Sequence, residues 1–299
     1  MSLRNLSREE LLLAGTAACP GCSSILALRL VLKSLGTKTI LVVPAGCTSV
    51  TQGMAPSTAF KVPLLNIAFA AAASTASGVV EGLNAVGVSD VTVCVWAGDG
   101  GTADIGIQAL SGAAERKTNF IYFCCDNESY MNTGIQRSSS TPFGAWTTTT
   151  PTGKREPKKD MPFIMAAHRI PYIATACPSY PTDLIEKVEI AKSRTETRYV
   201  QILAPCPSGW RFASEKSIEM GRLAVETGVW PLFTIQDGRF ALSAVSERLL
   251  ETSKRRPLRE YLEAQGRFSH LSDSDIESLQ HLITSEWDHF AEINNKCVF

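Results

Sequence analysis

The chain has 299 residues, 44% of them hydrophobic and 19% charged, with 29 basic side chains against 29 acidic ones. Charge so evenly balanced and scattered excludes the electrostatic footprint of a nucleic-acid binder, and so much apolar material with so few charges excludes disorder. One large or two modest soluble domains fit the length.

The opening MSLRNLSREELLLAG lacks a signal-peptide h-region, which predicts a cytoplasmic protein. Residues 5–18 read as a short helix leading into a turn, and SSILALRLVLKS at 23–34 has apolar residues at helical spacing. The charge-free stretches 39–60 and 62–80 have the length of membrane spans. Their Pro, Gly, Ser, Thr and Asn content makes them interior segments of a large core instead, with no membrane partner. TILVV at 39–43 is a buried strand, 68–86 a helix of small residues, and VTVCVW at 91–96 a second strand that runs straight into Ala97-Gly98-Asp99-Gly100-Gly101. A helix over 105–115 follows, then the strand NFIYFCC at 119–125, which ends in the polar run 126–134. Strand, Gly-rich loop, helix and strand predict an α/β fold, a mainly parallel twisted sheet with helices on both faces, and ligands in such sheets bind beyond the carboxyl ends of the strands.

Segment 138–160 is rich in Ser, Thr, Pro, Gly and Lys, has no periodicity, and is too long for a mere connection. It is a functional loop or a subunit contact. The rhythm resumes with a helix near 163–168, a strand at 172–176, a helix at 181–194 and a strand at 199–204 that delivers Pro205-Cys206-Pro207. Residues 233–240 read as a hairpin turned at Asp237-Gly238, and Ser274 with Glu277 as a capping box opening an amphipathic terminal helix. Residues 1–230 thus form an α/β domain, and 231–299 a hairpin and helical extension that packs on it or on partner subunits.

Two constellations carry chemistry. Cys19-Pro20-Gly21-Cys22 places two thiols on one turn, and Cys47 and Cys206, each following a strand, can complete a four-thiolate cage. A redox pair with ordinary buried cysteines stays open from spacing alone. Cys94, Cys124 and Cys125 lie inside apolar strands and read as core, while Cys177 and Cys297 have no visible partners. The second constellation is Gly98-Asp99-Gly100, followed by Asp126-Asn127-Glu128-Ser129-Tyr130-Met131-Asn132 at the end of the next strand. Mg²⁺ on a diphosphate needs hard oxygen ligands, which Asp99, the Asn127 carbonyl and a nearby backbone carbonyl would supply, and the glycines let the backbone approach the phosphates. Together they form a thiamine-diphosphate signature.

With both constellations the chain resembles the thiamine-diphosphate-binding β subunit of the pyruvate and 2-oxoacid:ferredoxin oxidoreductases over nearly its whole length. The resemblance rests on GDGGTADIGIQALSGAAER at 98–116, DNESYMNTGIQRSSSTPFGAWTTTTPTGK at 126–154, KKDMPFIMAAHRIPYIATA at 158–176, APCPSGW at 204–210, ETGVWPLF at 226–233 and YLEAQGRFSHL at 261–271. It implies a thiamine-diphosphate-binding fold, with 1–230 holding both the thiamine diphosphate and an iron–sulfur cluster. Cys19, Cys22, Cys47 and Cys206 would ligate one [4Fe–4S] cluster, and Asp99, Asn127 and the Ser129 carbonyl would hold Mg²⁺. Gly98, Asp99, Gly100 and Gly101 with Asn127, Glu128, Ser129, Tyr130, Met131 and Asn132 would line the diphosphate, Asn132 would reach toward the thiazolium and substrate as a catalytic residue, and Cys47 would also touch the cofactor.

The implied activity is coenzyme A-linked oxidative decarboxylation of a 2-oxoacid, with electrons passing through the cluster to ferredoxin. The implied partners are an α subunit that completes the thiamine site with its activating glutamate, and γ and δ ferredoxin-like subunits or fused equivalents. Thr48, Ser49, Asn66, Ala70 and Ala71 replace larger or charged residues usual in pyruvate-type members, which predicts that a bulkier 2-oxoacid is accepted beside pyruvate. A non-oxidative thiamine-diphosphate decarboxylase or carboligase subunit would not need four convergent cysteines, and a zinc-stabilised scaffold would leave Asp99 and Asn127 unexplained. His168 is read as packed or capping, and Lys154-Arg155 and Lys158-Lys159 as solvating the long loop or touching a partner. Trp96, Trp146 and Trp210 are read as core or interface anchors.

Overall fold

The structure is a computed structural model that describes residues 7–54 and 57–299. Runs of β-branched, leucine and aromatic residues form the strands β1 Thr39–Pro44, β2 Leu64–Ile67, β3 Thr92–Gly98, β4 Phe120–Asp126, β5 Tyr172–Ala176, β6 Thr197–Leu203, β7 Phe233–Gln236 and β8 Arg239–Leu242. They make one sheet in the order β2-β1-β3-β4-β6-β5-β7-β8. Pairing from β2 across to β5 is parallel, and β7 and β8 extend the sheet as an antiparallel hairpin. The mainly parallel α/β sheet predicted from the alternating elements is therefore present.

Helices α1 Ser23–Leu35, α2 Cys47–Thr51, α3 Ala72–Ala85, α4 Ile107–Glu115, α5 Met161–Ala167, α6 Pro181–Ser193, α7 Pro207–Trp210, α8 Ser217–Glu226, α9 Ala244–Glu247, α10 Leu258–Glu263 and α11 Asp273–Ile293 connect and cover it. Period-2 alternation sends Cys94, Trp96, Ile121, Phe123 and Val200 into the layer with α1 and α6. Val93, Val95, Tyr122, Cys124 and Tyr199 face the layer with α3, α4, α8 and α11. Both faces are dry, which is why these strands read as unbroken apolar runs. In α3 the small residues Ala72, Ala73 and Ala76 are buried, which lets the helix backbone lie close to the sheet.

Several local expectations need correction. The described part of 5–18 is not helical, and its first two residues lie outside the described residues. Leu11 and Leu12 are buried, the Leu13 amide donates to Ala59 and the Lys61 amide to Leu11, so this segment spends its backbone bonds on an extended neighbour. The terminal helix starts two residues earlier than predicted, because Ser272 and Asp275 form the capping box in place of Ser274 and Glu277. The turn between β3 and α4 is a π-helical stretch, Gly100–Asp104, and β2 and α8 had no counterpart in the sequence reading. Among the described residues no helix is long and apolar enough to cross a membrane.

Candidate active site

The parallel pairing brings four carboxyl ends to one edge in the order β1, β3, β4, β6. These ends carry Cys47, Asp99, Asn127 and Cys206 respectively. A cavity opens there whose wall includes Cys47, Gly98, Asp99, Gly100, Gly101, Asn127, Ser129, Tyr130, Met131 and Asn132, with Phe69, Trp96 and Thr48 beside them. Glu128, expected among the same residues, does not reach this wall. Asn132 is exposed at the mouth.

Asp99 is buried, and its Oδ2 accepts from the Ser138 hydroxyl at 2.5 Å. Burial and the neighbouring Asp126 push its pKa well above the ordinary carboxylate value, while Ser138 pulls the other way. One terminal atom of the Asn127 amide lies 2.8 Å from the Ser129 carbonyl oxygen and 3.0 Å from Asp99 Oδ1. With its nitrogen there, the amide donates to both. With its oxygen there, it stands about 3 Å from each of two other oxygens, close to the edge length of an octahedron around Mg²⁺ at about 2.1 Å.

Tyr130 closes the opposite side. Its hydroxyl donates to Asp104 at 2.9 Å, and its ring lies so close over Gly100 that a Cβ there would be 2.3 Å from it. Only glycine fits under the ring.

The four candidate cluster cysteines are neighbours. Burial pushes the Cys47 thiol up to about 12, and Cys206, Cys22 and Cys19 each add repulsion between thiolates. Cys22 caps α1, Cys47 opens α2 and Cys206 caps α7, so three of the four thiols lie where helix amides favour negative charge. The Cys19 turn docks on the segment after Cys206: Ser217 Oγ donates to the Gly21 carbonyl at 2.6 Å, and Gly21, at φ +71, lies so close that a Cβ would meet the Ser214 carbonyl at 2.2 Å. Among the described residues no three Cys, His, Asp or Glu side chains stand close enough for a single metal ion. A cubane spaces its four thiolates more widely than one ion does.

Segment 138–160 packs against this edge, and two of its lysines are not the solvated residues expected. Lys154 is buried and donates to the carbonyls of Ser139, Thr141 and Pro157 at 3.0, 2.6 and 3.1 Å. Lys158 reaches Asp126 at 2.8 Å and Glu128 at 2.9 Å, and Glu128 also pairs with Arg267 at 2.8 Å. Burial alone would push the Lys158 ammonium down, but the two carboxylates outweigh it and hold its pKa above the usual lysine range. Ser138, Lys158 and Arg267 were missed. The signal for the cations was Asp126 and Glu128 themselves, two acids on a wholly apolar strand end that must find counter-charges. Of the five departures from pyruvate-type members, Thr48 lines the cavity. Ser49 instead caps the Gly46 turn, and Asn66 is exposed on the edge strand.

The family described as thiamine pyrophosphate enzyme, C-terminal TPP binding domain, matches residues 22–202. The chain is 49% identical to pyruvate synthase subunit PorB of Methanothermobacter thermautotrophicus, covering 94% of this chain and 97% of that one. It is 45% identical to ketoisovalerate oxidoreductase subunit VorB of Pyrococcus horikoshii, covering 95% and 94%. A structure of 2-oxoglutarate:ferredoxin oxidoreductase from Magnetococcus marinus shares the fold, with a TM-score of 0.58 at 21% identity over 73% of this chain and 82% of that one. A glycine-floored, acid-ended cavity at the carboxyl ends of β1, β3 and β4, matched by that family and by relatives along almost the full length, places the chain among the thiamine pyrophosphate enzymes, in the group of PorB and VorB subunits.

Proposed function

We propose that the chain is the thiamine-diphosphate-binding β subunit of a cytoplasmic 2-oxoacid:ferredoxin oxidoreductase, acting with coenzyme A on pyruvate or a related 2-oxoacid. The observation that carries this reading is the convergence of Asp99, Asn127 and the Ser129 carbonyl at the cavity that also holds Cys47. Bound there, thiamine diphosphate supplies the carbon nucleophile for decarboxylation and a [4Fe–4S] cluster accepts electrons one at a time. Asp99, Asn127 and Ser129 would hold Mg²⁺, Gly98 to Gly101 would let the diphosphate approach the backbone, and Asn132 at the mouth would face the substrate. Cys19, Cys22, Cys47 and Cys206 would hold the cluster. An α subunit would complete the thiamine site, and γ and δ ferredoxin-like subunits, or fused equivalents, would carry electrons on to ferredoxin.

The test is anaerobic purification of the protein and its four single Cys→Ser variants, with assay of iron, sulfide, zinc and thiamine diphosphate. Each variant is expected to lose iron and the reduced-state EPR signal. Full iron in all four removes the cluster assignment, and zinc in place of iron and sulfide restores the scaffold reading.

A further inference from the structure

Side chains alternate along the end of β4. Asn127 and the Ser129 carbonyl face the cavity, whereas Asp126 and Glu128 face away into a buried ion network. Between the two metal-facing residues, Glu128 has φ +65, the left-handed region that a glutamate adopts only when its surroundings hold it there. Four contacts do so. The Glu128 amide donates to Asp126 Oδ1 at 3.0 Å, its carbonyl accepts from Thr141 Oγ1 at 2.7 Å, Lys158 bridges its carboxylate to Asp126, and the Arg267 guanidinium lies 2.8 Å from the other carboxylate oxygen as an ion pair without hydrogen-bond geometry. Gln201 fixes Asp126 from β6 at 2.6 Å. Arg267 also stacks on Trp210, 3.7 Å from the ring, and the Trp210 indole donates to the Asn127 carbonyl at 2.9 Å. The network therefore grips the backbone of 126–128 from behind and leaves the cavity side free.

We propose that Lys158 and Arg267 are positioning residues for the metal site: by clamping Asp126 and Glu128 they hold Glu128 in its left-handed conformation, which aims the Asn127 amide and the Ser129 carbonyl at one point. The inference rests on the reading of Asp99, Asn127 and Ser129 as Mg²⁺ ligands. Neither cation lines the cavity. Their effect reaches it through backbone geometry, so it falls on how much Mg²⁺ the site needs and not on its final capacity.

The experiment measures thiamine-diphosphate affinity against free Mg²⁺ in the intact protein with its companion subunits. Lys158→Met is expected to raise the half-saturating Mg²⁺ about tenfold or more, the scale of losing an outer partner of a metal site. Affinity at saturating Mg²⁺ recovers, and Lys158→Arg restores the wild-type Mg²⁺ requirement. Adding Glu128→Gly to Lys158→Met brings the requirement back toward wild type, because glycine adopts φ +65 without the strain a glutamate carries there. A merely structural role for the network gives no such rescue. An unchanged Mg²⁺ requirement in folded Lys158→Met, or a double variant no better than the single, overturns the proposal. If Lys158→Met does not fold, Arg267→Gln carries the same measurement and the same outcomes, with Arg267→Lys as its conservative control. Asp99→Ala separates the two levels: if it binds normally the metal site itself is misread, whereas if it fails while Lys158→Met is unaffected only the positioning role falls.

Discussion

Replacing Asp99 with asparagine should stabilise the empty protein and disable the loaded one. The Asp99 carboxylate is 1% exposed and has a hydroxyl donor in Ser138 at 2.5 Å and the Asn127 amide at 3.0 Å. Burying a carboxylate costs several kcal/mol, and two hydrogen bonds to a charged acceptor return about 1.5–3 kcal/mol each. With Asp126 repelling it as well, the ionised group leaves the stripped protein short by about 1–3 kcal/mol. The amide keeps the shape and the Ser138 bond but removes the charge. At roughly 2 °C per kcal/mol for a chain of this size, Tm of the stripped protein should rise by about 2–6 °C.

The pH dependence fixes the sign. Because burial raises the folded pKa of Asp99, the native state holds its proton longer than the unfolded chain does, and stability is lost as pH climbs from the ordinary carboxylate range through that raised value. Asp99→Asn should flatten this slope. With Mg²⁺ and thiamine diphosphate present the order reverses, since the cation takes the place of the proton and the variant has lost a charged ligand, so affinity should fall about a hundredfold. Thermal melts of stripped protein from about pH 5 to pH 8 and equilibrium dialysis of the cofactor decide it. A lower Tm for the stripped variant, or wild-type cofactor affinity, would refute the argument.

Gly100→Ala puts a methyl group 2.3 Å from the Tyr130 ring, so cofactor affinity should drop about tenfold and stability by about 1–3 kcal/mol. Unchanged dialysis and urea curves would contradict this. Lys154→Met strips the carbonyls of Ser139, Thr141 and Pro157 of their donor, the Thr141 bond being buried, and should cost about 1–3 kcal/mol in urea unfolding, and an unchanged urea curve would show that water replaces the ammonium. In the assembled complex, pyruvate, 2-oxoisovalerate and phenylglyoxylate should give comparable kcat/KM because small Thr48 lines the cavity. A pyruvate preference above about a thousandfold, roughly 4 kcal/mol, rules this out.

The central strands were legible because both their faces are buried: TILVV, VTVCVW and NFIYFCC have no other stable setting. β2 was not, since Leu64–Ile67 is a short, half-exposed edge strand, and α8 was hidden by Gly221, which lies against Ser179 where a Cβ would clash. The leucine triplet at 11–13 has helical propensity, but its bonds to Ala59 and Lys61 are tertiary and leave no local trace. The same divide runs through the site. Asp99, Asn127 and the glycines announce themselves by their places at strand ends. Ser138, Lys158 and Arg267 come from loops and distant segments, and what makes them matter is whom they meet.

The order β1-β3-β4-β6 also dictates when a growing or refolding chain can possess this site. Its thiols and oxygens are handed in by segments spread from Cys19 to Cys206, and no pair of sequence-adjacent elements contains them all. Local collapse of the first half yields an edge with Cys47, Asp99 and Asn127 but without β6 and its cysteine. On the proposed assignment a four-cysteine cluster cannot template the early stages of folding by mass action, because its receptor would be complete only once β6 has inserted beside β4, whereas the oxygens of Asp99, Asn127 and Ser129 already meet on β3 and β4. Cluster loading would then be a terminal event, with the nascent thiols waiting unshielded until β6 is in place.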